Sequence, residues 1–229
     1  MKIALIGYGK MGHAVEKHAA AQGHRVVLTL DKGEEWPERI EADVAIEFST
    51  PATAADNVRR CIERGVAVVC GTTGWYDRYE EVSELCREKG GRLLTATNFS
   101  IGMNIMFALN KRLAELMRGR ADYTVDIDET HHIHKLDAPS GTALTLREQV
   151  VDCGGREPSE VAISSHRIGE VPGTHTVRYR SAIDTITLTH EAHSRDGLAL
   201  GALMAAQWLT QAAAGVYGME EVVGGRGKV

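Results

Sequence analysis

KIALIGYGKMG, residues 2–12, reads as an apolar strand running straight into a glycine turn. Lys2 to Ile6 supplies the strand, and Gly7-Tyr8-Gly9-Lys10-Met11-Gly12 is a strict GxGxxG. In such a turn the first glycine permits the tight bend, the second lets backbone approach a pyrophosphate, and the third allows close helix packing. A helix is expected from about Met11 to Gln22, closed by Gly23, followed by a strand from His24 to Leu30. Asp31 ends that strand nineteen residues after Gly12, where a carboxylate accepts hydrogen bonds from an adenosine ribose. Six residues alone are weak evidence, but strand, helix and acid in this order predict a βαβ unit that binds NADH, NADPH or both. Asp31 favours NAD, whereas Lys32 either pairs with the 2′-phosphate of NADP or is a solvated turn lysine.

The same rhythm continues outward from this unit. A third strand is expected over Ala42 to Phe48, a helix from about Ala52 to Arg64, and the continuous apolar strand Val66 to Cys70, typical of burial on both faces. A helix near Asp77 to Lys89 and a strand from Arg92 to Thr97 follow. Repeated crossovers of this length predict an α/β, doubly wound parallel sheet. Ligands bind at the loops after such strands, so Gly71, Thr72 and Thr73, and Ala96, Thr97, Asn98 and Phe99, are candidates for the nicotinamide end, ordinary turn chemistry being their alternative role. After Asn98 the pattern changes: a helix from about Met103 to Leu116 precedes strands near 122–130, 160–166, 174–181 and 183–191, the last two separated only by Ala182. This predicts an α+β second domain on a mostly antiparallel or mixed sheet. A final alanine-rich helix, about Leu198 to Ala214, returns to the first domain. The expected division is 1–98, completed by 197–229, and 99–196.

The densest chemistry lies in ETHHIHKLDAPSGTA, residues 129–143. The alternation in DYTVDIDET (122–130) predicts a half-buried strand, so His131 and His132 leave its end toward opposite faces. One can then meet a ligand while the other anchors the loop. Histidine serves as donor or acceptor near neutrality, and Lys135 adds a cation that can protonate or fix an anion. Pro139 blocks an early helix and Ser140 is placed as an N-cap. Gly141 and Thr142 then open a helix through Val151 whose unpaired N–H groups make a carboxylate seat. His131, His132 and His134 have no nearby cysteine and lack HExxH spacing, so no metal is expected.

Composition bounds the partners. Lys and Arg number 26 against 31 Asp and Glu, a net charge of −5 without a basic footprint for nucleic acid. The chain passes directly from Met1 into its first strand, and no apolar run approaches membrane-spanning length, so no membrane association and a cytoplasmic address are expected. Cys61, Cys70, Cys86 and Cys153 show no CxxC spacing and are read as free thiols.

With the glycine loop, GTTG, ATNFSIGMN and HHIHKLDAPSGTA in this order, the chain resembles the 4-hydroxy-tetrahydrodipicolinate reductase (dihydrodipicolinate reductase) family of lysine biosynthesis over nearly its whole length. The resemblance implies a Rossmann domain with a substrate-binding and tetramerisation domain, and hence a homotetramer. It also implies NAD(P)H-dependent reduction of a cyclic dicarboxylate to tetrahydrodipicolinate with loss of water. His131 resembles the family's proton donor or acceptor and Lys135 its proton donor. His132, Gly141 and Thr142, beside Ser140, resemble its substrate-binding positions. Gly7 to Gly12, Asp31 with Lys32, Gly71 to Thr73, and Ala96 to Phe99 match its cofactor contacts. Lys10 departs from the arginine common there, and the chain is shorter than many relatives. Arg195, before the last helix, either approaches the substrate or makes a structural ion pair.

Two other functions fit the first domain alone. Another small NAD(P)-linked reductase is one, since the dinucleotide fold does not specify the substrate. A non-catalytic dinucleotide sensor is the other, although His131 and Lys135 beside Ser140, Gly141 and Thr142 argue against it because a sensor needs no proton donor.

Overall fold

The computed structural model describes residues 1–224. Its elements are β1 (Lys2–Ile6), α1 (Lys10–Ala21), β2 (Arg25–Leu30), β3 (Val44–Glu47), α2 (Pro51–Glu63), β4 (Ala67–Cys70), α3 (Tyr79–Glu88) and β5 (Arg92–Thr95). Then come α4 (Ile101–Met117), β6 (Thr124–His131), α5 (Gly141–Gly154), β7 (Val161–Arg167), β8 (Gly173–Arg180), β9 (Thr185–Ala192), α6 (Asp196–Gln211), β10 (Gly215–Tyr217) and α7 (Met219–Val223). Two compact units result, Met1–Ile101 with Asp196–Val229, and Gly102–Arg195. Residues 225–229, which the sequence assigns to the end of the first domain, lie outside the described residues.

In the first unit six strands run in the order β10-β5-β4-β3-β1-β2, every neighbouring pair parallel. The order reverses between β3 and β1, so the loops after these strands diverge and open a crevice, the usual ligand site of a doubly wound sheet. Central strands are apolar on both faces because both are covered. Ile3, Leu5, Val44, Ile46 and Val69 pack with Phe99 and the alanine-rich face of α6, while Ala4, Ile6, Ala45, Val68 and Cys70 pack toward α2 and α3. Each fully buried Leu, Ile or Val contributes about 1.5–3 kcal/mol relative to exposure. Small residues on α6 allow close approach: a Cβ on Gly201 would fall 1.7 Å from the Phe99 carbonyl oxygen.

Strand β10 and helix α7 were not foreseen. Three residues of β10 are too few to show a period, and its pairing with β5 comes from tertiary packing. The strands β8 and β9 are joined by the turn Ser181–Asp184, closed by Ser181 N–H to Asp184 O at 3.0 Å, so they are farther apart than Ala182 alone implies.

The second unit is a mixed sheet, β7-β6-β8-β9, with β6 and β7 parallel and the other pairs antiparallel. Register aligns the inner-face side chains in rungs. Val161, Val125 and Tyr179 form one, ending at the exposed Ile186 on β9, and Ile163, Ile127, Val177 and Leu188 the next. These apolar rungs pack against Met103, Met106 and Phe107 of α4 and Leu146 and Val150 of α5. The opposite face carries a charged ladder, Asp126 opposite Arg178 with Arg180 and Asp128 alongside.

Candidate active site

The glycine turn has the geometry its sequence demands. Gly7 has φ +89°, and a Cβ there would lie 2.0 Å from the Phe48 carbonyl oxygen. A Cβ on Gly12 would meet the Gly7 carbonyl oxygen at 2.6 Å, whereas one on Gly9 would have nothing within 4 Å. Thus Gly7 and Gly12 serve packing, and Gly9 leaves open space at the N-terminus of α1. No side chain caps that helix end, so its N–H groups remain available to an anion. Gly9, Lys10 and Met11 line a cleft of about 410 Å³ with Phe48, Ser49, Pro51, Gly71, Thr72 and Thr73. The Thr72 hydroxyl accepts the Ser49 N–H at 2.7 Å, joining the loops after β3 and β4. Tyr8 lies beside the turn, its hydroxyl donating to Glu16.

Asp31 is exposed just beyond β2, where its Oδ1 accepts the Lys32 N–H at 2.8 Å. Its own N–H donates to Glu34 Oε2 at 2.6 Å, a second carboxylate that sequence spacing did not single out. Ala96 hydrogen-bonds the Cys70 carbonyl at 3.4 Å, Asn98 Oδ1 accepts the Ser100 N–H at 2.9 Å, and Thr97 is exposed. Phe99 is buried against Phe48, ring centroids 5.9 Å apart, and so supports this wall from within.

In the second unit the inner face of the sheet turns polar toward the end of β6. The third rung is Ser165, Glu129, His175 and His190. Beyond it His131 pairs with Arg167 of β7. Sequence alternation alone explains this placement, because Val125, Ile127, Glu129 and His131 share one face. Glu129 is wholly buried. Its Oε1 accepts the Ser140 N–H at 3.0 Å and faces the Arg167 guanidinium at 3.3 Å, while Oε2 lies 3.5 Å from His131 Nδ1 and 3.7 Å from His175 Nε2. Burial pushes the Glu129 carboxyl upward, but hydrogen bonds from Ser140 and Ser165 and the nearby His131 hold it below its ordinary value.

Burial lowers the His131 pKa, opposed by Glu129 and reinforced by Lys135 and Arg167. His175 is lowered further, to about 4, by burial and then by His131. The two rings meet edge to face with centroids 4.9 Å apart. Glu129, His131 and His175 could offer one ligand atom each within 4.8 Å of one another. The cluster differs from the three histidines weighed in the sequence, and one of its members, His175, lies too far away in sequence for spacing to reveal it. Its carboxylate is already engaged by the Arg167 guanidinium and Ser140 N–H.

Ser140 has the expected capping role: its hydroxyl accepts the Ala143 N–H at 3.2 Å. The same oxygen lies 3.3 Å from His175 Nε2, so helix start and polar rung are joined. Gly141 is exposed and Thr142 half-buried at the first turn of α5. Lys135 Nζ pairs with Asp137 at 2.8 Å. His132 leaves the strand away from His131, and its Nε2 receives the Arg195 guanidinium. Burial and then Arg195 lower its pKa. Sequence reading missed Glu129, Arg167 and His175; strand alternation from His131 locates Glu129, and register locates Arg167 opposite His131 and His175 opposite Glu129.

The family model described as dihydrodipicolinate reductase, N-terminus, matches residues 1–99, and the one described as its C-terminus matches 102–223. A 4-hydroxy-tetrahydrodipicolinate reductase from Christiangramia forsetii is 43% identical, covering 97% of this chain and 98% of that protein. One from Methanospirillum hungatei is 35% identical over 86% and 82% of the respective chains. The dipicolinate-bound dihydrodipicolinate reductase from Paenisporosarcina sp. TG-14 superposes with a TM-score of 0.81 at 22% identity, covering 96% and 98% of the two chains, which establishes a shared fold. A Rossmann fold in this reductase family implies a nicotinamide cofactor. Matched over both units and over the full length of a close curated relative, the chain belongs to the dihydrodipicolinate reductase family of NAD(P)H-dependent oxidoreductases.

Proposed function

We propose that this chain reduces 4-hydroxy-tetrahydrodipicolinate to tetrahydrodipicolinate in the diaminopimelate route to lysine. The carrying observation is the strand end at His131, where a buried acid–histidine rung adjoins the N-terminus of α5. In the overall reaction NAD(P)H gives a hydride, a proton is taken up, water leaves, and NAD(P)⁺ remains. The bound nicotinamide supplies the hydride.

The protein's work is binding, orientation and proton delivery. In the first unit, Gly7 to Gly12 hold the pyrophosphate, with Lys10 as a local cation, and Asp31 and Lys32 meet the adenosine ribose. The loops Gly71–Thr73 and Ala96–Phe99 face the nicotinamide end. Open space at Gly9 and the unfilled helix end fit that assignment. In the second unit, Ser140, Gly141 and Thr142 seat one substrate carboxylate with charge-assisted hydrogen bonds. His132 helps bind the substrate, and His131 and Lys135 deliver the proton. No metal enters this scheme, because Arg167 and Ser140 N–H occupy the carboxylate that a metal would need. Both NADH and NADPH are accepted. A cytoplasmic homotetramer built on the second unit's sheet completes the reading; no helix among the described residues is long and apolar enough to cross a membrane.

Supplying the upstream synthase with pyruvate and aspartate semialdehyde, and following NAD(P)H oxidation with product analysis, tests the function. Substrate-dependent oxidation yielding tetrahydrodipicolinate is expected. Nucleotide binding without turnover would instead indicate a dinucleotide sensor.

A further inference from the structure

A histidine that must carry a proton at a buried strand end faces an opposing demand: burial favours its neutral form. His131 has 7% of its surface exposed. Its Nδ1 is buried and without a hydrogen-bond partner, and it points at Glu129 Oε2 across 3.5 Å, an ion-pair separation longer than a good hydrogen bond. Its Nε2 lies on the other side of the ring, beside Gly173. A Cβ on Gly173 would come within 3.2 Å of that nitrogen, so the missing side chain leaves Nε2 uncovered.

Glu129 is itself fixed. Arg167 holds Oε1, and the Ser140 N–H spans both oxygens, 3.0 Å from Oε1 and 3.2 Å from Oε2, with Oε2 facing the two imidazoles. A loose carboxylate would turn toward water, whereas this one has a backbone donor, a guanidinium and strand register to hold it. His175 does not compete for the positive charge, since its site keeps it neutral down to about pH 4. The charged or titratable groups facing His131 are Glu129 on its own strand, Arg167 on β7, His175 on β8, and Lys135 and Asp137 in the following loop. Of these, Glu129 is a buried anion next to Nδ1, while Lys135 and Arg167 oppose protonation.

We propose that Glu129 is a positioning residue that acts through His131, holding its Nδ1–H and stabilising the imidazolium, so that Nε2 is the nitrogen that exchanges a proton with substrate. Proton transfer then breaks Nε2–H and forms a bond from that hydrogen to substrate. The electron pair left on Nε2 makes the ring neutral with Nδ1–H still directed at Glu129. Solvent restores the proton before the next turnover. This role rests on His131 being the proton-delivery residue of the proposed function.

Glu129→Gln separates this from a merely structural role. Wild-type turnover first establishes the reaction itself; without it the functional reading fails and this inference with it. Given wild-type turnover, kcat/KM for Glu129→Gln should fall about 10²-fold or more. Its alkaline limb should move to lower pH, because the anion that favours protonated His131 is gone, while NADH affinity stays unchanged. In a His131→Gln background the same substitution should cost little more, as expected for two groups acting as one unit. An unmoved alkaline limb, or a full additional loss in the double variant, would overturn the proposal. Should Glu129→Gln not fold, long-range ¹H–¹⁵N correlation on the wild-type enzyme decides it: neutral His131 as the Nδ1–H tautomer supports the role, and the Nε2–H tautomer refutes it.

Discussion

Glu129 and His175 are direct register partners in the antiparallel β6–β8 pair, with Oε2 and Nε2 3.7 Å apart and both residues buried. Two rungs nearer the start of β6, the same face holds Val125 opposite Tyr179. A continuous strand pair thus serves both core and site. Apolar rungs fix its position against α4 and α5, and the rigid backbone carries that position to the polar rung.

His175 gives the protein an acid-sensitive element. Its folded-state pKa of about 4 lies below the ordinary 6.5 because burial and His131 disfavour its cation. The unfolded chain therefore binds more protons between these values, so stability rises with pH through about 4 to 6.5 and falls on acidification. A difference of this size corresponds to about 3 kcal/mol when the window has been crossed. Urea unfolding at pH 7, 5.5 and 4.5 should show a steeper loss for wild type than for His175→Gln; equal slopes would contradict this origin.

The two neighbouring glycines Gly7 and Gly9 should fail differently when replaced by alanine. Gly7→Ala introduces a Cβ 2.0 Å from a backbone oxygen at positive φ, so it should cost about 3 kcal/mol or more and lower the yield of folded protein. Gly9→Ala meets no protein atom within 4 Å, so the thermal midpoint should hold while NADH affinity drops at least tenfold. Calorimetry and NADH titration on both variants check the contrast. Normal NADH affinity in folded Gly9→Ala would remove Gly9 from the pyrophosphate site.

Much of this was legible because two periodicities are strong in the chain. Strands β1 and β4 are apolar runs closed by glycine turns, and the helices after β1, β3 and β4 make the crossovers that a parallel order needs. Ser140 was readable as a cap since its hydroxyl stands three residues before the Ala143 N–H it accepts. By contrast, β10 has only three residues and borrows its order from β5. The rung at Glu129 stayed hidden for another reason: Arg167 and His175 lie 38 and 46 positions farther along, and only register brings them back. Glu34 is the opposite case, close in sequence to Asp31 but given meaning by the hydrogen bond it accepts.

That bond bears on cofactor choice. Asp31 and Glu34 together should oppose a 2′-phosphate, while Lys32 should attract it. If Lys32 supplies a charge-assisted contact worth about 1.5–3 kcal/mol, Lys32→Ala should weaken NADPH use roughly 10- to 150-fold and leave NADH use nearly unchanged. Glu34→Gln should shift the ratio the other way. Measuring kcat/KM for both nucleotides at two ionic strengths is diagnostic, since added salt should erode NADPH use faster. A parallel loss for both nucleotides in Lys32→Ala would assign Lys32 to loop support.

Lys135 begins the catalytic cycle with a partner of its own. Its ammonium meets both Asp137 carboxylate oxygens, at 2.8 and 2.9 Å, with the lysine side chain 22% and the aspartate 58% exposed. To act on a dicarboxylate substrate it must leave or share that pair. The pair is partly solvated, so its net strength is on the order of 1 kcal/mol or less. Removing the competitor should therefore help binding modestly: Asp137→Asn is expected to tighten pyridine-2,6-dicarboxylate inhibition by up to about fivefold at low salt, converted from that energy. Lys135→Ala should weaken the same inhibitor and reduce turnover about 10²-fold or more, with NADH affinity retained. The diamide, lacking both charges, should bind weakly and respond to neither substitution. Competition assays with diacid and diamide on all three proteins give the comparison, and equal inhibition by the two compounds would show that carboxylate charge does not direct binding at this helix start.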